Sequence, residues 1–587
     1  MRCEVVRRGM VILVFAALPC GWSSLSRIVQ AAAEAPAAEA AADSGADGTA
    51  GSADVQTAVA AGRNPVSTIP VELIVKPQVD ALRLRLSDVT VRALERNKQL
   101  QVQKINPAIA RAQVLTQLGL FDQTLSLQLQ KQANDVPSKS SSYPGFVGSE
   151  TRIANLNYQT RFHDGTQLSS SFNNQRYWVN SFFPTPPNPY YQSSVVVTAT
   201  RPLVKGAGRR VVNAQVNIAR NTVIQNLMQL KKSVLDTVQT AEKQYWELYF
   251  SREDREVKAF NVQASQELLD YNQSRLLQGL ASEVDVVEAK AALANNVAAL
   301  RIAERTVQLN QSTLRRSISL DDRRAGLEIV PADRVVHPGK PLPLDRALET
   351  AYARRPDYQN VLIDLNNKDL NIVYLRNQKR PQVDLIASYQ SNGLERAWSH
   401  ALGDVESNEY PGYTVGVQIG IPLSNRTARG NHEQGVLQKR QALLSVKAVE
   451  DQIDDEVTQA HSSLEVNLDR VGVTRQAAQY SEEQYKAAVA RYQQGLIANY
   501  NLLQYLQDLA TARSAAVRAL VDAVESRVDY DAATGTLLEL RSIVVEDSAA
   551  KALKVPLALP GRQRPADAVP AATPVPGAEP SRYAPSR

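Results

Sequence analysis

Cysteine, histidine and long apolar runs are all scarce in this chain of 587 residues. The two cysteines, Cys3 and Cys20, stand near the N-terminus. The rest of the chain therefore contains no disulfide framework, no thiolate zinc site and no cysteine nucleophile. The five histidines lie at least 29 residues apart and show neither HxxxH nor HExxH spacing. We predict no catalytic site, no metal site and no cofactor, and we expect the protein not to be an enzyme.

The chain also has no large excess of charge of one sign, because 66 basic and 60 acidic residues leave a net charge of only +6. Basic residues do not alternate with aromatic residues in any stripe, which argues against nucleic acid as a partner. The GxxxxGK[ST] pattern of a phosphate-binding loop is missing as well, so the chain has no recognisable ATP site of its own.

Residues 1–33 have the features of a secretory signal peptide. Basic residues precede an apolar stretch of about nine residues, Met10–Leu18, and small residues follow at 31–35. Nine residues are too few to cross a bilayer as a helix, which takes about 20. Cys20 leaves lipidation open as an alternative, although the preceding Pro19 fits a lipobox poorly.

Low-complexity segments frame the predicted folded region. Residues 34–81 are rich in Ala and Gly, and residues 548–587 are rich in Pro and Ala. Such compositions predict a disordered leader and a disordered tail. After the signal no run of 18 apolar residues occurs, so a mature chain embedded in a membrane would have to enter it as β-strands.

Two copies of one structural unit are predicted, at residues 82–331 and 340–540. The segment Leu86–Arg96 matches Leu344–Arg354 at an offset of 258 residues. The next landmark, a Pro-Leu pair at 202–203 and again at 422–423, follows an alternating strand-like run in both copies at an offset of 220. The difference of 38 residues gives the first copy a longer β-region, which is either a long external loop or an added hairpin.

Each copy is predicted to hold a long helical hairpin. Residues 209–278 contain neither Gly nor Pro, and this run would be about 105 Å long if it were helical throughout. In the second copy, the run 436–494 is interrupted only by Gly472. Gly279 and Gly495 end these runs, and we expect a helical turn at each.

An apolar 3-4-4-3-4 spacing recurs in the first long helix of both copies and predicts coiled-coil packing. The two sets, related by an offset of 219, are Leu227, Leu230, Val234, Val238, Ala241 and Tyr245, and Val446, Val449, Ile453, Val457, Ala460 and Leu464.

Strand-like runs lie between the short first helices and the long hairpins. Residues 124–130 and 156–162 alternate strictly between apolar and polar, as do 383–389 and 413–421, while 167–178 is rich in Ser, Asn and aromatics. One apolar and one polar face suits a sheet between lipid and water, and this pattern alone leaves a soluble antiparallel sheet open. Aromatic residues that suggest a membrane girdle stand near the strand ends: Tyr143, Tyr158, Tyr177, Trp178, Tyr190 and Tyr191.

This order of features resembles the TolC family of outer-membrane efflux proteins. The resemblance rests on the Pro-Leu pairs, the turn segments Arg275–Gly279 and Arg491–Gly495, and an Ala-Ala-Thr-Gly segment at 532–535. It implies a mainly α fold with a membrane β-barrel, a TolC-like trimeric α/β-barrel. Three chains, each with four strands, would close a 12-stranded barrel, because an open sheet would leave unpaired edges in lipid.

The resemblance also implies a function. The protein would be the passive outer-membrane exit channel of a tripartite efflux or type I secretion system, exporting small molecules or proteins. Its implied partners are two further copies of itself, outer-membrane lipid, a periplasmic adaptor and an inner-membrane pump. The alternative is a non-channel periplasmic adaptor or cell-envelope scaffold, but an adaptor normally has one hairpin and this chain has two.

The resemblance places a gate at the periplasmic entrance. Asp285 and Tyr492 match two members of the polar link that closes the tube in the family, whereas Ile497 occupies the position of the third, an arginine. For Asp285 a helix N-terminal carboxylate is the alternative role. For Tyr492 the alternative is plain packing beside the turn.

The acidic rings of the family fall on the neutral residues Asn501 and Gln504. We therefore expect closure to rely less on charge here than in relatives with acidic rings. Asp508, one turn beyond Gln504, forms a displaced acidic ring if it faces the lumen. In the alternative it pairs with a basic residue such as Arg513 or Lys290.

Overall fold

The computed structural model describes residues 81–138, 145–180, 187–320 and 327–545. The predicted signal peptide, most of the predicted leader, the predicted tail and Tyr143 lie outside these residues. The first copy contains β1 (Ala81–Leu84), α1 (Leu86–Arg96), α2 (Lys98–Leu118), β2 (Thr124–Ser138), β3 (Gly145–Arg161), β4 (Gln167–Asn180), β5 (Tyr190–Pro202), α3 (Arg209–Val212), α4 (Ala214–Leu277), α5 (Glu283–Ser317) and β6 (Glu328–Pro331). The second contains α6 (Leu344–Arg354), α7 (Pro356–Gln378), β7 (Gln382–Glu395), α8 (Trp398–Ser407), β8 (Tyr410–Gly420), α9 (Arg426–Gln493), α10 (Asn499–Ala533) and α11 (Leu537–Leu540).

The two long hairpins are α4–α5 and α9–α10. The 64 residues of α4 and the 68 of α9 correspond to about 96 and 102 Å of helix. The run that begins at residue 209 is broken once, at Asn213, which separates α3 from α4. Gly472 does not interrupt α9. Among the described residues, none of the helices combines the length and the apolar character needed to cross a bilayer.

The predicted heptad residues form helix-packing cores. In α4, Leu230, Val234 and Val238 pack with Val528 of α10 and with Leu100 of α2. In α9, the residues Ile453, Val457 and Leu464 pack against α6 and the end of α10. The predicted apolar stripes of α4 and α9 are therefore buried or half-buried, and much of each contacts the short helices and α10.

In the part of the chain that the structure describes, six strands form one antiparallel sheet in the order β2-β3-β4-β5-β7-β8. The expectation of four strands per chain is wrong, because the first copy contributes four strands and the second contributes two. The 38 additional residues of the first copy are used for an additional pair of strands rather than for a long external loop.

The sheet has one apolar and one polar face, since directly paired residues point to the same side. The apolar face carries Leu125, Leu127, Leu129, Leu156, Phe172, Val195, Val197, Leu385, Val415, Val417 and Ile419. The polar face carries Ser126, Gln128, Gln130, Asn155, Asn157, Ser171, Asn173, Ser194, Gln390, Thr414 and Gln418. On the outermost strands Leu129 and Val415 are 71% and 73% exposed.

Helix α8 packs on part of the apolar face, across β5 and β7. Ala401 and Val405 are its buried residues, and Ser391 of β7 donates a hydrogen bond to the carbonyl oxygen of Val405 at 3.0 Å. Gly393 makes this approach possible, because a Cβ atom there would lie 2.1 Å from the carbonyl oxygen of Ala401.

All long helices join the sheet at one end. The strands β2 and β7 follow helices, and β5 and β8 lead into helices, while the connections β2–β3, β4–β5 and β7–β8 lie at the opposite end. The second, small sheet pairs β1 with β6 in parallel. Its neighbour is Tyr245 of α4, whose hydroxyl donates to the carbonyl of Leu84 at 3.2 Å.

Candidate channel entrance at the hairpin tips

The α4–α5 turn is built around Gly279. Its φ of +70° lies in the left-handed region that glycine adopts without steric cost. The amide of Gly279 donates to the carbonyl of Leu276, and the amide of Leu280 donates to that of Arg275, both at 2.9 Å. This pair of bonds is a Schellman motif, which ends the helix and reverses the chain.

The α9–α10 turn repeats this geometry at Gly495, whose φ is +74°. The amide of Gly495 donates to the carbonyl of Tyr492, and the amide of Leu496 donates to that of Arg491, again at 2.9 Å. The structure thus places Gly279 and Gly495 at equivalent positions in the two hairpins.

Asp285 caps the start of α5. Its carboxylate accepts a hydrogen bond from the amide of Ser282 at 3.0 Å, and the Ser282 hydroxyl accepts one from the amide of Val284 at 3.2 Å. This reciprocal capping box satisfies amides that the helix leaves without partners. Asp285 therefore has the N-terminal carboxylate role given above as the alternative.

Tyr492 lies in a buried polar network between the two hairpins. It is only 5% exposed, and its hydroxyl donates to Oδ1 of Asn272 in α4. Asn272 in turn donates to Asn499 at 2.9 Å, and Asn499 donates to a carboxylate oxygen of Glu288 at 3.1 Å. The chain Tyr492–Asn272–Asn499–Glu288, which we call the tip network, connects four helices with paired polar groups.

Burial raises the pKa of Tyr492, and the nearby charge of Asp285 raises it further, while Arg275 acts in the opposite direction. The hydroxyl therefore stays protonated and remains a donor at neutral pH.

An arginine does accompany Tyr492, but it comes from Arg275 in the last turn of α4. Its guanidinium carbon lies 5.7 Å from the ring centre of Tyr271 and 5.8 Å from that of Tyr492. It also donates to the carbonyl of Leu280 at 3.0 Å. Ile497 instead packs among the apolar residues around Tyr492.

The residues Arg275, Asn272 and Asn499 were missed as functional candidates. The signal for Arg275 was its place four residues before Gly279 in the turn segment. For Asn272 and Asn499 the sequence carries no comparable signal, because the contact joins positions 227 residues apart.

The three remaining candidates form an exposed polar stripe on α10. Asn501, Gln504 and Asp508 follow the helical spacing of three and four, and all three are exposed. Gln504 donates to the carboxylate of Asp508 at 3.4 Å. Arg513, one of the two alternative partners suggested for Asp508, pairs with Glu482 instead, at 3.1 Å.

Known proteins are similar to this chain in sequence and in fold. The family described as Outer membrane efflux protein matches residues 165–319 and 347–536, more than half of the chain. The outer membrane efflux protein BepC of Brucella suis is 24% identical over 312 residues, which are 52% of this chain and 65% of BepC. The match therefore spans slightly less than two thirds of that relative.

Solved structures of outer-membrane channels superpose on most of the chain. The channel OprN aligns with a TM-score of 0.59 at 15% identity, covering 77% of this chain and 90% of OprN. CmeC of Campylobacter jejuni aligns with a TM-score of 0.57 at 14% identity, covering 80% of this chain and 88% of CmeC. The predicted TolC-like fold is thereby confirmed, and by the extent of the family match this chain belongs to the outer membrane efflux protein family.

Proposed function

We propose that this protein is the passive outer-membrane exit channel of a tripartite export system and that it acts as a homotrimer. The observation that carries the proposal is a six-stranded sheet that connects, at one end, to two long helical hairpins. Its apolar face is exposed on the outermost strands β2 and β8. Lipid would cover this face, while the polar face would line water.

Ring closure follows from the direction of the strands. Neighbouring strands alternate in direction across the sheet, and six is an even number. The strand β8 of one protomer would therefore meet β2 of the next in antiparallel orientation. Three protomers supply eighteen strands rather than twelve, and closure leaves no backbone edge in the hydrocarbon, where each unpaired group costs several kcal/mol.

The hairpins extend from the strand ends to the tips over roughly 100 Å. We propose that three copies assemble them into a tube in the periplasm, with the tip network fixing the hairpins of each chain to each other. In this arrangement Asn501, Gln504 and Asp508 face the entrance, where three chains place two rings of amides and one ring of carboxylates. The adaptor and the pump would dock at this end.

The rival proposal, a periplasmic adaptor or a scaffold without a pore, requires no ring closure. Disulfide trapping separates the two. The only cysteines, Cys3 and Cys20, lie in the predicted signal segment, so introduced cysteines would have no competing partner in the mature chain. The scan combines Leu127→Cys on β2 with cysteine at Tyr413, Val415 or Val417 on β8.

We expect at least one of these pairs to give covalent dimers and trimers in outer-membrane fractions under oxidation. The matched control combines Leu127→Cys with Val197→Cys, which lies three strands away within the same sheet, and should stay monomeric on gels. Failure of every β2–β8 pair, with the protein recovered as a water-soluble monomer, would refute the channel.

A further inference from the structure

Three cations stand side by side on the apolar face of the sheet. Lys131 of β2 is paired with Arg152 of β3, which is paired with Arg176 of β4. Directly paired residues share a face, and these positions lie two residues beyond Leu129, Ala154 and Asn174 on that face. We call Lys131, Arg152 and Arg176 the outer cation row.

A single carboxylate sits among the three cations. Glu150 lies 3.2 Å from the Lys131 ammonium, 2.7 Å from Arg152 and 3.5 Å from Arg176. On the other side of Arg176 the row continues with Tyr191 of β5 and then Glu395 of β7. Glu395 is thus two strands, or about 10 Å, away from Arg176. Three positive charges around one negative charge leave an excess of about two. Like charges that face each other across strands repel, so an external anion would be favoured here.

The height of the row matches the headgroup region. At the end of the sheet that joins the helices, Leu385 of β7 is paired with Arg201 of β5. At the opposite end, Glu395 of β7 is paired with Tyr191 of β5. The ten residue steps from Leu385 to Glu395 span about 33 Å along the strand. At a strand tilt of about 40° this is about 25 Å along the membrane normal, which is the usual height of the apolar band. Trp178 and Tyr191 lie beside the cations, as aromatic residues do at membrane interfaces.

We propose that the outer cation row binds the phosphate group of a phosphorylated lipid in the outer leaflet, an inference that rests on the proposed membrane channel. Guanidinium groups bind phosphate oxygens in a bidentate manner, and the ammonium of Lys131 adds a third point charge. Lys131 and Arg152 are 60% and 56% exposed, so both are available to a lipid. Arg176 is less exposed, at 27%, and lies 3.5 Å from Glu150.

The test measures lipid retention by the detergent-purified full-length protein with native mass spectrometry. The probes are lipid A, a glycolipid with two phosphate groups, and phosphatidylethanolamine at equal concentration. We expect the native trimer to retain lipid A at least about tenfold better, which corresponds to about 1.4 kcal/mol. The variant Lys131→Gln/Arg152→Gln should lose this preference.

The matched control is Arg201→Gln, which removes a cation from the same face at the opposite end of the band and should retain the preference. The single variant Lys131→Gln, at the most exposed position, tests the row should the double variant fail to assemble. Equal lipid A retention in the native protein and in an assembled cation-row variant would overturn the proposal. Loss of retained lipid A in 10 mM inorganic phosphate would also overturn it, because the row would then be a general anion site.

Oligomeric mass and bilayer conductance are recorded on the same samples. A native protein that conducts as a trimer but shows no preference for lipid A refutes only the lipid site. A native protein that neither trimerises nor conducts refutes the proposed function as well.

Discussion

Removing the hydroxyl of Tyr492 should loosen the hairpin tips. In Tyr492→Phe the Oδ1 atom of Asn272 loses its donor, and Asn272 is fully buried, so water cannot replace the lost bond. A buried acceptor without a partner costs about 1–3 kcal/mol. The cost falls on the contact between α4 and α9 at the tips and leaves the sheet untouched.

Hydrogen exchange reports this local cost. Exchange through local opening scales with the opening equilibrium, so amides near residues 268–276 and 488–502 should exchange about 5- to 150-fold faster. The matched control is Tyr500→Phe, because Tyr500 is 64% exposed on the neighbouring helix α10. Its exchange rates should stay within about twofold of the native rates, as for most surface changes.

The outcome that refutes the reasoning is equal protection of these amides in Tyr492→Phe and Tyr500→Phe. The tip network would then be incidental to the stability of the entrance. If the network does hold the tips, Tyr492→Phe should also raise the open-channel fraction in planar bilayers.

Three further predictions concern pH, the turns and the entrance. Burial raises the pKa of Glu525 to about 7, so the carboxyl keeps its proton to higher pH in the folded protein than in the unfolded chain. The stability that the protonated carboxyl contributes is therefore lost as pH rises through 7. Glu525→Gln should raise the free energy of unfolding by about 1–3 kcal/mol at pH 8 and by little at pH 5, and equal effects at both pH values would contradict this. In denaturant unfolding, Gly279→Ala should lower the free energy of unfolding by about 1–2 kcal/mol because of the positive φ at this position. Gly472→Ala, inside α9, should raise it by about 0.5–1 kcal/mol. A change of the same sign in both variants would be inconsistent with the turn geometry. Asn501→Asp should increase the block of channel current by a trivalent cation, and Asp508→Asn should abolish the block seen in the native channel. If the first variant gains no block, residue 501 does not lie at the constriction. If a strong block survives in the second, Asp508 does not face the lumen.

The helical part of the fold was predictable because its signals are local. Long stretches without Gly or Pro, an apolar stripe at heptad spacing, and single glycines at the turns determine both hairpins. Tertiary packing changed only details, such as the break at Asn213, where α3 ends before α4 begins.

The strand count was harder to obtain from the sequence. Four strand-like runs were visible in the first copy alone, but the expectation of four strands per chain came from the resemblance. Charged residues also interrupt the apolar alternation at Glu150, Arg152 and Arg176. The register of the sheet, which the sequence of one strand does not contain, places these three residues on the apolar face. Pairing across strands, rather than the pattern along one strand, reveals that these charges form a row.

The contacts of the entrance depend on distant pairing as well. Asp285 was placed at a helix start by its own neighbours, and its capping bond is local. The partner of Tyr492 is 220 residues away in the chain, so only the packing of α9 against α4 identifies Asn272. The arginine beside Tyr492 likewise comes from Arg275 and not from the position that the resemblance indicated.

Ion conductance across a planar bilayer tests the central proposal most directly. Protein extracted from the outer membrane in detergent should insert as a trimer and produce stepwise ion currents, because three sheets close into one barrel around a polar lumen. A folded monomer that stays in water without detergent and produces no current would contradict the account.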